Sequence, residues 1–317
     1  MTATGTTGPT GPATGPTDTA AAPAPAPQPR RGGVRRAASV LHRHAGLRLA
    51  LLLSAPMAWL LLAYLGSLAV LLLSAFWTVD DFTYDLVRVW NTANFHTVLT
   101  EPVYRTIALR TLGIAAAVTV IDAVVAFPMA FYMARIARPR TRKLLVVAVL
   151  TPLWASYLVK AYAWRAILGQ GGVLDRLGAP FGLSSPGYGT TAVILVLAYL
   201  WLPYMILPVY AGLDNLPGNL LDASADLGAS AWRTFRSVVL PLVLPSVFAG
   251  SVFTFSLSLG DYITVRIVGG KTQVLGTAIA DNVTLNLPLA AALSCVPVVM
   301  IVGYLLAVRR TGALDSL

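Results

Sequence analysis

Long apolar runs alternate with short polar stretches along this chain. Crossing a hydrocarbon core takes about 20 largely apolar residues in a helix. Six runs approach or exceed that length, at roughly 49–76, 107–134, 144–163, 191–213, 242–259 and 288–308. They predict six helical spans. Pro56, Pro128, Pro152, Pro203 and Pro208 fall inside them. In a membrane helix, neighbouring groups satisfy the carbonyls a proline frees, so each predicts a kink rather than an end. Ahead of the first run, residues 1–29 form a Thr/Gly/Pro/Ala tract with too little apolar surface to offset its ordering entropy. A basic arm with Arg30, Arg31, Arg35, Arg36, Arg43 and Arg48 follows. We therefore expect residues 1–45 to be a disordered, basic tail and 46–317 to be the membrane domain. The first run exceeds the signal-peptide h-region of about 7–15 residues and more spans follow, so it reads as a retained anchor.

Composition agrees with a membrane solvent. Hydrophobic residues make up 56% of the chain and charged residues 11%, against roughly 25% charged in soluble domains. The net charge of +10 brings nucleic acid to mind, but the basic residues sit between apolar runs, as the positive-inside bias requires. Six spans put both termini on one side. The basic tail, Arg135, Arg138, Arg140, Arg142, Lys143, Arg233, Arg236, Arg309 and Arg310 share that side, which makes both termini cytoplasmic. Cys295 is the single cysteine and lies in an apolar run, where it reads as a small hydrophobe. The histidines His42, His44 and His96 stand in no cluster with metal-ligand spacing, so no metal is expected.

One polar segment stands out, between the fourth and fifth runs and on the cytoplasmic side. It begins at Asp222-Ala223-Ser224-Ala225-Asp226-Leu227-Gly228 and closes at Val238-Val239-Leu240-Pro241. Its local chemistry predicts two short helices with a bend. Pro217 suits a first helical turn, and Asp222 and Asp226 fall one turn apart on one face of a helix over about 219–227. Gly228 permits a positive φ and a close backbone approach. Ser230 is placed to cap a second helix over 231–239, and Pro241 then opens the fifth span. These features alone fit an ordinary interfacial loop as well as a docking segment.

The spacing resolves it by resemblance. The segment is similar to the loop of permease subunits of binding-protein-dependent ABC importers: Glu-Ala-Ala, three residues, Gly, nine residues, Ile, one residue, Leu-Pro. Here Asp222, Ser224 and Val238 replace Glu, the second Ala and Ile, and every interval is kept. The stretches 128–132, 152–164, 169–177, 227–230 and 259–264 further resemble the spermidine/putrescine-type permeases, and the first of the paired permeases more than the second. The resemblance spans about 47–309. It implies an all-α polytopic membrane protein with six transmembrane helices, in the type I ABC importer permease (MetI-like) fold. It also implies a coupling loop at about 214–241, in which Asp222, Ala223, Ser224, Asp226, Leu227, Gly228, Val238, Leu240 and Pro241 meet a partner ATPase. The implied partners are a cytosolic ABC ATPase dimer, a second permease subunit of paralogous sequence, an extracytoplasmic substrate-binding protein and membrane lipid, with no nucleic acid. The implied location is the bacterial plasma membrane, the implied substrate a polyamine or related small solute, and the implied mechanism alternating access.

Gly269-Gly270-Lys271-Thr272 looks like the end of a phosphate loop, but the glycine required five residues before Gly270 is Val265. The ATPase is therefore expected on another chain, and no cofactor on this one. Asp122, inside the second run, is a functional candidate by default; the plainer reading is an acid satisfied by a neighbouring helix or lying near a span boundary. Lys160 and Arg165 read as interfacial, snorkelling side chains. For a cationic solute, Asp261 and Tyr262 are path candidates, since a carboxylate attracts an ammonium and an aromatic face adds to it; a helix-end acid is the alternative. Trp154, Trp201 and Tyr204 are candidates for the same wall, each singly also an interfacial anchor. No nucleophile–base pair or paired carboxylates stand at catalytic spacing, so an enzyme is not expected. An ion-gradient-driven secondary transporter remains the alternative from another class; it would lack the loop spacing and carry more intramembrane acids or inverted repeats.

Overall fold

The computed structural model describes residues 45–310, apart from 81, 82, 84 and 183. The expected tail, 1–45, lies outside the described residues save for its last position. The chain divides between Leu62 and Ala63 into two units. In the first, α1 (Ala45–Leu60) contains Pro56 and exposes Leu52, Trp59 and Leu60, the outward apolar surface of a helix solvated by lipid.

The second unit contains α2 (Gly66–Ser74), then a two-stranded antiparallel hairpin, β1 (Thr78–Val79) with β2 (Leu86–Val87), in which Thr78 faces Val87. Next come α3 (Ala93–Thr100), α4 (Pro102–Phe131), α5 (Pro139–Trp154), α6 (Tyr157–Leu168), α7 (Val173–Gly178) and α8 (Thr190–Asp214). They are followed by α9 (Gly218–Asp226), α10 (Ala231–Thr234), α11 (Leu240–Gly260), α12 (Ile263–Val268), α13 (Leu275–Leu285) and α14 (Leu287–Arg310). Among the described residues, the segments Leu52–Ser74, Pro102–Ile136, Thr190–Asp214, Ala231–Gly260 and Leu287–Arg309 are each long and apolar enough to cross a membrane. The helices α5 and α6 meet the same test only when taken together, as a bent pair that makes a sixth span if the two cross the membrane as one.

At the centre, α4, α8 and α11 pack on one another. Lipid is as apolar as leucine, so membrane helices associate through small residues that let backbones come close. The buried face of α4 is built that way, with Thr111, Ala115, Thr119, Ala126 and Ala130 inward and Leu109, Val120 and Val124 outward. Between α8 and α11 the approach is closer still. A methyl group placed on Gly212 would lie 2.6 Å from Ser246 Cβ. On Gly250 it would lie 2.8 Å from Met205 Sδ and 3.2 Å from its Cα. Ser246 and Gly250 are one turn apart on α11, and buried Thr254 and Ser258 continue the same stripe.

Two local expectations change. The third run bends far more sharply than the kink expected at Pro152: α5 and α6 meet at 94° across Ala155 and Ser156. Ala155 and Ser156 are extended, and the corner is held by Lys160, whose Nζ donates to the Pro152 carbonyl at 3.1 Å. Lys160 thereby caps the C-terminus of α5. Arg165, exposed, lies over the Tyr188 ring, 5.5 Å from its centroid. Asp122 is fully buried on α4, and among the described residues neither of its carboxylate oxygens has a hydrogen-bond partner, so no described neighbouring helix satisfies it.

The glycine contact gives a test. Gly250→Val overpacks the α8–α11 seam and is expected to remove about 1–3 kcal/mol of stability, read as a lower Tm for the purified protein in detergent. Gly113→Ala, where an added methyl meets nothing within 4 Å, should leave Tm unchanged. Equal Tm values for the two variants would contradict the close seam.

Candidate functional site

The polar segment folds as a helix, a glycine bend and a helix that runs on into the membrane. Pro217 directly precedes α9 rather than entering it. The end of α9 is closed by backbone bonds: Gly228 N–H donates to the Ala225 carbonyl at 2.8 Å and Ala229 N–H to the Ser224 carbonyl at 3.1 Å. With Gly228 at φ +73°, this is the Schellman arrangement, in which a left-handed glycine lets the chain return and pair the last carbonyls. Ser230 then caps α10, its Oγ accepting from Arg233 N–H. The hydroxyls of Ser224 and Thr234, 2.8 Å apart, tie the two helices together.

The second helix departs from expectation. It does not stop before Pro241; Ala231–Gly260 is continuous. A wide turn over Phe235–Val239, with Leu240 N–H donating to the Phe235 carbonyl, precedes the proline. That turn shifts the hydrogen-bond register where Pro241 has no N–H to offer, so the helix bends around the proline instead of beginning there. Phe235 anchors it, stacked on Trp232 at 5.4 Å and edge-on to Phe127 of α4 at 5.3 Å.

The motif residues divide by exposure. Asp222, Ala223, Asp226, Gly228 and Pro241 are exposed, and Leu227 is 88% exposed. Ser224, Val238 and Leu240 are half-buried, while Val239, outside the motif, is the buried anchor. Trp232, 69% exposed, extends the apolar part of this face. At its base a groove of about 720 Å³ is lined by Asn215, Leu216, Pro217 and Leu220 on one side and Pro241, Leu242 and Pro245 on the other.

Two arginines at the base were read from sequence only as topology markers. Arg142 donates from Nε to the Met133 carbonyl at 3.1 Å, from Nη2 to the Ala134 carbonyl at 2.6 Å, and from Nη1 to Asp214 Oδ1 at 3.0 Å. Arg135 donates from Nη2 to the Leu216 carbonyl. Their sequence signal was position alone, in the polar turn between the second and third runs.

The path candidates are partly brought together. Asp261 is 8% exposed and caps α12: its Oδ1 accepts Thr264 N–H at 2.9 Å, and its Oδ2 accepts the Thr264 hydroxyl at 3.1 Å and the Tyr157 hydroxyl. The Tyr157 ring stacks on Trp201, and Trp201 meets Tyr204 edge-on. A cavity of about 300 Å³ is lined by Tyr157, Trp201, Asp261 and Tyr262 among others. Tyr262 also lines the neighbouring cavity of about 440 Å³, and Arg266, paired with Asp281, lies over its ring at 5.8 Å. Trp154 is not part of this cluster; it ends α5, 90% exposed. Tyr157 and Thr264 were not singled out from sequence, since nothing local shows that residues 107 positions apart meet.

The Gly269–Thr272 segment is a turn between α12 and α13, packed by Thr190 and Thr272 hydroxyls 3.2 Å apart. It follows no strand, the context a phosphate loop requires.

The chain matches a known family over residues 126–311, described as "Binding-protein-dependent transport system inner membrane component". It is 44% identical over 306 residues to the inner membrane ABC transporter permease protein YdcU of Escherichia coli K12, covering 91% of this chain and 97% of that protein. It is 30% identical over 243 residues to the spermidine/putrescine transport system permease protein PotB of Haemophilus influenzae, covering 74% of this chain and 84% of that one. In fold it is similar to a chain of a bacterial alginate ABC transporter crystallised with an alginate pentasaccharide-bound periplasmic protein, with a TM-score of 0.65, 16% identity, and coverage of 85% and 94%.

Beyond the α5–α6 pair, Asp175 orders a loop through the backbone N–H groups of Ser185 and of Gly171, the latter at 2.7 Å. Those bonds, that from Ser185 first, favour the carboxylate and hold its pKa below the usual range. A depressed folded-state pKa makes the contribution to loop order present above the unfolded pKa and lost as pH falls through the folded one. The Gly171 amide resonance of nanodisc-embedded protein should therefore titrate with a midpoint below the ordinary Asp value of about 3.9, and should be flat in Asp175→Asn. A midpoint at or above that value would refute the contact.

Proposed function

The chain belongs to the binding-protein-dependent transport system inner membrane component family, and from that premise we propose that its 214–241 segment is the surface through which a cytosolic ATPase drives transport. As a member it is a permease subunit of an ABC importer in the inner membrane, not a secondary transporter. It is not an enzyme, and ATP is hydrolysed on a partner chain. It works with that ATPase, a substrate-binding protein and a second permease.

The observation that carries the proposal is the exposed end of α9. A backbone-closed helix presents Asp222, Asp226 and Leu227 to solvent, and the glycine that ends it has open space where a side chain would stand. A helix held at its base and bare at its tip suits insertion into a groove of a partner. Asp222 and Asp226 supply charge, Leu227 and Trp232 supply apolar contact, and Val238, Leu240 and Pro241 lead the chain back to α11. In this reading ATP-driven closure of an ATPase dimer moves the loop and switches the permease between inward-facing and outward-facing states. Both termini are cytoplasmic, residues 1–45 form a basic cytoplasmic tail ahead of the permease domain, and the second permease is a paralogue.

For the substrate we propose a polyamine or a similar small cation. The support is the likeness to PotB and the chemistry of one cavity. Asp261 lies in its wall beside Trp201, with Tyr204 behind, while Tyr262 offers a ring whose face already attracts the Arg266 cation. Trp154, 90% exposed at the α5–α6 corner, stands outside this cavity.

Gly228→Asp tests the loop. An added side chain meets nothing within 4 Å, but φ +73° strains any residue other than glycine, so the substitution disturbs the bend as well as the docked partner. In the assembled complex, substrate-stimulated ATPase and uptake should fall about tenfold, the scale of losing an interface hot spot, while insertion persists. Undiminished activity in assembled complexes would rule the docking role out. For the substrate, Tyr262→Ala should raise half-saturation for labelled putrescine or spermidine by about two- to thirtyfold, the worth of a cation–π contact. Tyr262→Phe should retain most of the affinity; equal loss in both would refute a cation on the ring.

A further inference from the structure

Two helices end at one place on the loop side of the central bundle, the first with carbonyl groups unpaired and the second with an acid. The helix through α4 closes in a wide turn over Tyr132–Ile136, with Ala137 N–H donating to the Tyr132 carbonyl. That register leaves the next carbonyls, of Met133 and Ala134, without a helical donor, and Pro139 just beyond has no N–H. Helix α8 ends at Asp214, an acid at the negative end of a helix dipole, where it is unfavourable unless paired.

Arg142 resolves both problems with one guanidinium. Its planar fork caps Met133 and Ala134 and pairs Asp214, a geometry that a lysine ammonium cannot reproduce. Arg135 adds the Leu216 carbonyl, one residue before Pro217 and α9. Leu213 and Leu216, on either side of Asp214, are buried in the core cluster that holds Met133 and Ala134. Polar clamp and apolar packing thus alternate along one short segment: the clamp takes Asp214 and Leu216, the packing Leu213 and Leu216.

We propose that Arg142, with Arg135, is a positioning residue for energy coupling: it locks the base of the 214–241 loop to the end of α4, so that displacement of α9 moves α4 and α8 as one body. The proposal rests on the loop being the ATPase-docking surface, and it adds residues outside the loop motif as the linkage that transmits the movement. Without the clamp, the loop swings on 215–217 and the helices lag behind.

The test uses the complete complex of both permeases, ATPase and binding protein in nanodiscs. Spin labels at Asn219→Cys on α9 and Ile136→Cys beside α4, in a Cys295→Ser background, report the distance across the clamp. In the otherwise unaltered protein the distribution should be narrow and unchanged on ATP binding. In R142A it should broaden and shift, and R142K should not restore it. Binding-protein-stimulated ATPase should fall about three- to thirtyfold, the range reached by substitutions along a coupling path. R142A and D214A should be non-additive in that ratio, as residues in one network are. An unchanged distance distribution in R142A, or additive effects, overturns the proposal. If R142A does not assemble, D214N decides alone: an unchanged distribution there is equally fatal. The docking reading has its own failure, full activity of Gly228→Asp, which the distance across the clamp does not depend on.

Discussion

Inside a bilayer every backbone polar group needs a partner from the protein itself, and this structure is organised around the places where helices stop supplying one. The ladder breaks at the α5–α6 corner, at the end of α4, after α8 and at the end of α9. At the first three a cation closes the break: Lys160 on the Pro152 carbonyl, Arg142 on those of Met133 and Ala134, Arg135 on that of Leu216. At the fourth, a left-handed glycine lets the backbone close on itself. The difference suits the setting. The first three breaks are half-buried, while the end of α9 faces water and leaves its side chains free for a partner.

This gives the basic residues a second role beside orientation. A sequence with excess Lys and Arg between apolar runs reports which side each turn faces. It does not report that one of those arginines joins two helices that end 80 residues apart, at Ala134 and Asp214. An isolated exposed ion pair adds little, whereas the pair with Asp214 holds Arg142 in register for its other contacts. Its value lies in the two carbonyls that the same guanidinium satisfies, which neither water nor a more flexible amine would hold in one geometry.

The legibility of the chain follows that division. Periodicity and length located the apolar segments, since a lipid solvent imposes a strong signal on every turn. The bend at Gly228 and the cap at Ser230 were readable too, because both depend on residues within a few positions of each other. What escaped was of two kinds. The 94° corner at Ala155 and the wide turn before Pro241 depend on whether a proline kinks a helix or ends it, which neighbours decide. The Tyr157–Asp261–Thr264 cluster and the Arg142 clamp join residues that only the packed fold brings together. Asp122 was misread for a related reason: the rule that a buried acid finds a partner is a tendency of packed structures, and no pattern in α4 shows where a donor lies.

The loop's two ends impose the remaining mechanical constraint. Its second helix is continuous with α11 through the Phe235–Val239 turn, so it cannot move without that span. Its first helix is tied to α8 and α4 through residues 214–216. Immediately beyond, α8 and α11 touch at Gly212–Ser246 and again at Met205–Gly250, too close to slide past each other without backbone collision. A force on α9 therefore meets helices joined on both sides of the loop. It cannot open the seam between α8 and α11, nor be absorbed at the glycine bend, which the Ser224–Thr234 contact braces. What remains is rotation of α4, α8 and α11 together, the rigid-body class of switching, and the small residues that let the three helices pack are what make that rotation a single movement.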